Sequence, residues 1–70
     1  MQSRAATDKS SNLLGVRMRT QRRRLSMTLQ KLSAASGVST GYLSQVERGN
    51  ATPSLGTLNQ IATALAVDLD

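Results

Sequence analysis

Leu29-Gln30-Lys31-Leu32-Ser33-Ala34-Ala35-Ser36-Gly37-Val38-Ser39-Thr40-Gly41-Tyr42-Leu43-Ser44-Gln45-Val46-Glu47-Arg48 is the stretch on which the fold turns. It reads as two short helices packed closely across a tight turn. Thr28 precedes the first and can cap it, since its hydroxyl can accept from a first-turn N–H. That helix runs from Leu29 to about Ser36, with Leu29, Leu32 and Ala35 as its inward stripe. Ser33 is a small residue where the second helix crosses. Gly37 stands at the turn, where a left-handed backbone is cheap only for glycine. Val38 plugs the gap between the helices. Ser39 caps the second helix, Thr40 to about Arg48, which Leu43 and Val46 anchor to the core. Gly49 ends it as Gly37 ended the first.

Upstream, Asn12 can cap a helix from about Leu13 to Arg24, whose apolar face carries Leu14 and Met18 and extends toward Gln21 and Leu25. Its other faces hold Arg17, Arg19, Arg22, Arg23 and Arg24, and positive charge suits a helix C-terminus. Residues 1–11 are small and polar without periodicity and read as a disordered arm, leaving residues 12–70 as the domain. Downstream, Asn50 to Pro53 is a short loop. Ser54 caps a fourth helix from Leu55 to about Leu65 with a stripe of Leu55, Leu58, Ile61, Ala62 and Leu65. Ala66 to Asp70 reads as a linker and the first turn of a fifth helix, where the chain stops. No strand or hairpin signal interrupts this pattern, so the fold class is all-α.

The 70 residues suffice for one small domain, which buries only ~60% of the surface its unfolded chain exposes. No Cys and no His are present, which removes disulfides, thiolate-bound zinc and the commonest general base. The acids are Asp8, Glu47, Asp68 and Asp70, and no pair among them suits acid–base catalysis or metal binding. An enzyme, a catalytic residue, a metal and a cofactor are therefore not expected. No apolar run approaches the ~20 residues of a membrane span, and the N-terminus lacks the stretch of a signal peptide, so a cytoplasmic protein is expected. Asn50-Ala51-Thr52 fits a glycosylation acceptor only by coincidence in that setting.

Charge points to a partner. Between Arg17 and Arg48 lie Arg17, Arg19, Arg22, Arg23, Arg24, Lys31 and Arg48 against the single acid Glu47. Such an asymmetry favours a polyanion, because neutralising phosphates releases condensed counterions; a solvated face that aids solubility is the alternative. A basic amphipathic helix can also lie on a membrane surface, but this one lacks Trp and Phe and is interrupted by Gln21. Tyr42 is the only aromatic residue. Single-strand and RNA binders stack bases on several rings, so duplex DNA is the better match.

The segment from Leu29 to Gly49 resembles the phage-repressor/Cro-type, or XRE-like, helix-turn-helix family. The resemblance covers roughly Leu13 to Asp70. It implies a compact five-helix, lambda-repressor-like DNA-binding domain with the helix-turn-helix at helices 2 and 3, the third helix entering the major groove. It also implies a bacterial transcription factor, usually a repressor, that binds a palindromic operator as a homodimer. Gly41-Tyr42-Leu43-Ser44-Gln45 and Gly49-Asn50-Ala51-Thr52-Pro53-Ser54-Leu55 look closest to bacterial regulators with a C-terminal cupin sensor domain. That implies a chain truncated at the fifth helix of a longer protein, and a small-molecule effector acting through the missing domain.

Roles follow residue by residue. Gln45 projects from the second turn of the recognition helix and can contact adenine in a bidentate way, worth ~1–3 kcal/mol of discrimination; the alternative is a solvated surface Gln. Thr40 and Ser44 share that face and can contact bases or phosphates. Gly41 departs from relatives that carry a long polar side chain there. It costs ~1 kcal/mol relative to Ala in a helix interior, which a close backbone approach to DNA or poor specificity would equally explain. Tyr42 is a phosphate contact by the resemblance, or a half-buried packing residue. Ser39 caps its helix and, by the resemblance, contacts phosphate as well. Thr28 with the N–H groups of Leu29 and Gln30 forms a helix N-terminus suited to phosphate; many relatives have Gln in place of Leu29. Asn50 and Thr52 are candidates for gripping the backbone beyond the recognition helix, and the arginines of helix 1 add long-range attraction without direct contact. The resemblance makes Arg22 and Glu47 a largely buried structural salt bridge between helices 1 and 3. Two other readings stay open: an antitoxin or protein-interaction module reusing the fold, and purely electrostatic DNA binding.

Overall fold

In the computed structural model, which describes the backbone of residues 2–67 and the side chains of residues 13–67, four helices follow in chain order. They are α1 (Gln2–Arg24), α2 (Leu29–Ser36), α3 (Thr40–Glu47) and α4 (Leu55–Ala64). Among the described residues every regular element is helical, so the all-α class stands with four helices in place of five. The expected fifth helix falls on residues 68–70, outside the described residues. Ala66, assigned above to a linker, adopts a left-handed φ of 57° and closes α4. There the Val67 N–H reaches back to the Ala62 carbonyl at 2.9 Å, and the Ala66 N–H to that of Thr63 at 3.1 Å.

α1 begins at Gln2, not at an Asn12 cap. Residues 2–14 contain neither Gly nor Pro, so once the downstream turns form nothing in the chain stops the helix from extending backwards. The segment read as an arm is therefore helical backbone continuous with α1. Its C-terminus closes at Ser26, with φ 55°, through bonds from Met27 N–H to Arg22 O and from Ser26 N–H to Arg23 O, both 3.0 Å.

The three later helices start as their residue types demand. Thr28 Oγ1 accepts the Lys31 N–H at 3.0 Å, Ser39 Oγ the Tyr42 N–H at 3.2 Å, and Ser54 Oγ the Thr57 N–H at 3.3 Å. Each satisfies a first-turn donor that the helix itself leaves unpaired. Gly37 stops α2 in the left-handed region at φ 76°, its N–H donating to Ser33 O. A Cβ built on Gly37 would meet nothing within 4 Å, so the requirement there is conformational only. Gly37→Ala is expected to cost ~1–2 kcal/mol, read as a lower urea midpoint at unchanged slope.

Leu32, Leu43, Val46 and Ile61 are fully buried and form the centre of the core; Met18, Val38 and Leu65 close it. α3 packs against α1 and α2, and α2 also meets α4. Gln21, which interrupts the apolar face of α1, donates from Nε2 to the Leu65 carbonyl at 3.1 Å and so satisfies the C-terminal end of α4. Three stripe expectations are corrected. Ala35 is exposed and Ser36 buried instead, its Oγ accepting the Val38 N–H at 3.2 Å; the spacing 29, 32, 36 is as helical as 29, 32, 35. Leu55 is 74% exposed because it opens α4 beyond the packing layer, where Pro53 is buried in its stead. Leu25 lies past the end of α1 and is also exposed.

Candidate nucleic-acid interface

α3 has one apolar side and one polar side, and the packing decides which faces out. Leu43 and Val46 point into the core with no exposed surface, which fixes the helix in rotation. Thr40, Gly41 and Gln45 are then exposed and Ser44 half-buried, in a row along the outer face. Gly41 sits in open space, with nothing within 4 Å of a built Cβ, so the fold does not require a glycine there. Tyr42 is half-buried and packs against the core cluster.

The start of α2 lies beside this row. Thr28 and Gln30 are exposed, while Leu29 is half-buried and packs on the core. Backbone bonding in α2 begins with the Leu32 N–H to Thr28 O at 3.0 Å, so the N–H groups of Leu29 and Gln30 precede it. Leu29 and Ser44 line one shallow surface pocket together with Arg19, Arg22, Glu47 and Arg48. Asn50 and Thr52 are exposed past the other end of α3. The Asn50 N–H donates to Gln45 O at 2.8 Å, which ties that loop to the outward row of α3.

Arg22 and Glu47 meet in a two-pronged ion pair. Arg22 Nε donates to Glu47 Oε2 at 2.7 Å and Nη2 to Oε1 at 3.0 Å, while Nη1 donates to the Met27 carbonyl at 2.8 Å. One guanidinium thus joins α1, the α1–α2 connection and α3. The side chains are only 12% and 8% exposed. Hydrogen bonding to Glu47 raises the Arg22 pKa against the opposing effect of burial, and the Glu47 charge adds to the rise. A raised pKa means that Arg22's contribution to the pair is fully present at neutral pH and is lost as pH climbs beyond the ordinary arginine range.

Gly15 is the residue that sequence reasoning missed. A Cβ there would stand 2.5 Å from the carbonyl oxygens of both Val46 and Glu47, so α1 and α3 cross in contact at this point. The available signal was a glycine inside an apolar helical pattern, one turn before Met18 and two before Arg22; a packing reason is the usual cause of such a glycine.

This arrangement, a short helix held by its underside with a polar row outward and a second helix N-terminus alongside, is that of a helix-turn-helix unit. The helix-turn-helix family profile matches residues 18–70, and the chain belongs to that family. It is 47% identical over 53 residues to an uncharacterized HTH-type transcriptional regulator of Mycobacterium tuberculosis, covering 76% of this chain and 38% of that protein. It is 40% identical over 55 residues to the uncharacterized HTH-type transcriptional regulator y4dJ of Sinorhizobium fredii, covering 79% and 71% of the two chains. Among solved structures, the restriction-modification controller protein C.AhdI from Aeromonas hydrophila superposes with a TM-score of 0.83 at 30% identity, over 86% of this chain and 91% of that one. The chain thus spans under half the length of the mycobacterial regulator it matches.

Proposed function

We propose that this chain binds double-stranded DNA with sequence preference, as the DNA-binding part of a bacterial transcriptional regulator, with α3 in the major groove. The observation that carries the reading is the outward row Thr40, Gly41, Ser44 and Gln45 over an underside fixed by Leu43 and Val46. A major groove ~12 Å wide admits one helix, and base edges there present distinct donor and acceptor patterns. Gln45 reads a base, and Thr40 and Ser44 contact bases or phosphates. Gly41 lets the backbone come close at the cost of one side-chain contact. Thr28, Leu29 and Gln30 hold a phosphate at the start of α2. Ser39, Tyr42, Asn50 and Thr52 position the backbone around α3. The transcriptional-regulator relatives and the controller protein support the reading.

The likeness extends to finer proposals. The partner is a palindromic operator bound by a homodimer of the full-length protein in the cytoplasm. A C-terminal cupin domain, taking a small-molecule effector, belongs to the same reading; it rests on the resemblance of residues 41–45 and 49–55. Among the described residues no helix is long and apolar enough to cross a membrane.

Selection from a random duplex library at moderate salt tests the proposal. A consensus sequence is expected to enrich; equal retention of all sequences would overturn sequence-dependent binding. With the consensus in hand, Gln45→Ala is expected to lose ~1–3 kcal/mol of discrimination at one base pair per half-site while other positions keep theirs. A loss uniform across sequences would remove Gln45 from base reading.

A further inference from the structure

The arginines of α1 are not equivalent. Arg17 and Arg24 line a depression with Val16, Thr20, Gln21 and Val67, on the side of α1 that faces the end of α4. Arg19 lies across the helix from them, in the pocket it shares with Ser44 and Arg48 of the α3 end and Leu29 at the start of α2. Within that pocket the Arg22 guanidinium is committed to Glu47 and the Met27 carbonyl, and the Glu47 carboxylate is committed to Arg22. Their charges cancel. Arg19 and Arg48 are both exposed, and among the described residues neither guanidinium has a hydrogen-bond or ion-pair partner. The pocket therefore carries two uncompensated positive charges beside the recognition row and the first turn of α2.

We propose that Arg19 and Arg48 clamp one backbone phosphate of the bound duplex, and so set how deeply α3 sits in the groove. This rests on the DNA-binding reading and adds to it two contact residues, one of them on α1. A guanidinium presents a planar fork of donors that matches a phosphate's oxygens. Two of them from different helices fix the position of that phosphate relative to α3 as one alone would not. The rigid Arg22–Glu47 pair between them holds the spacing of the two helices. Arg17 and Arg24, on the far side of α1, stay out of contact.

The test measures affinity for the selected duplex against salt, for the 70-residue chain and its variants. The double variant Arg19→Gln with Arg48→Gln is expected to bind about tenfold more weakly on every sequence. It should also reduce the slope of log affinity against log salt by about 0.9 per bound chain, the value for one phosphate. Arg17→Gln with Arg24→Gln removes the same charge and should leave the slope within about 0.3 of the original. Neutral methylphosphonate substitution along the duplex then locates the contact: one linkage per half-site should weaken the unmodified protein and leave the Arg19/Arg48 variant unaffected. If the two double variants change the slope equally, or no linkage shows this pattern, the clamp is wrong while DNA binding stands. If the unmodified chain binds no duplex, the DNA-binding reading falls and the clamp with it. Unchanged thermal unfolding of the Arg19/Arg48 variant separates a lost contact from a lost fold.

Discussion

Glu47→Ala is expected to destabilise the domain by ~3–5 kcal/mol. The reason is what it leaves behind. Arg22 is 12% exposed and would retain only the Met27 carbonyl as partner, so its charge would stand buried and unpaired. For a domain of this size each kcal/mol moves the melting temperature by about 4–8 °C, and net stability is of order 5 kcal/mol. Thermal unfolding should therefore show a fall of at least about 12 °C, or a chain already unfolded at room temperature. Replacing both partners together, Arg22→Met with Glu47→Leu, is expected to return most of that loss, because the desolvation cost disappears with the charges. A single variant within ~1 kcal/mol of the original would show that the pair contributes no more than an exposed one.

Gly15→Ala is the second large effect, and its sign is the informative part. In an open helix this substitution would stabilise by ~1 kcal/mol. At Gly15 the added methyl would lie 2.5 Å from two backbone carbonyl oxygens of α3, and backbone cannot swing aside as a side chain can. α1 and α3 must separate, an overpacking strain of ~1–3 kcal/mol that outweighs the propensity gain, so a net loss of up to about 2 kcal/mol is expected in urea unfolding. The strained carbonyls belong to Val46 and Glu47, so the same shift disturbs the Arg22 pair. Gly15→Ala and Glu47→Ala should then combine to less than the sum of their separate losses. A stabilised Gly15→Ala protein would mean that the helices do not cross there.

Local chemistry explains which parts of this molecule could be read in the chain. The ends of α2 and α3 follow from Thr28, Gly37, Ser39 and Gly49, each acting on backbone groups within a few residues, so their signals are complete in the sequence. The burial of Leu32, Leu43, Val46 and Ile61 follows from periodicity for the same reason. Much of what escaped depends on a partner distant in the chain. Gly15 looks like a weak helix residue until Val46 and Glu47 are placed against it. Gln21 looks like a break in an apolar face until the Leu65 carbonyl arrives to meet it. Ala35 and Ser36 satisfy the helical period equally well, and only the docking of α2 chooses between them. Ser26 and Ala66 end their helices in the left-handed region, where glycine is the usual signal and neither residue supplies it. In the candidate interface, residue identity predicted exposure at Thr40 and Gln45. Separating Arg19 from Arg17 required knowing where α3 lies relative to α1.

Resonance-by-resonance titration of the backbone amides with the selected duplex tests the central claim most directly. Shifts are expected to cluster at Thr28–Lys31 and at Ser39–Asn50, the start of α2 and the whole of α3 with its following turn. The amides of Leu14, Leu58, Leu65 and Val67, which line the apolar groove between α1 and α4, should move little. Shifts concentrated on that groove, with α3 undisturbed, would contradict a DNA-reading role for the helix-turn-helix.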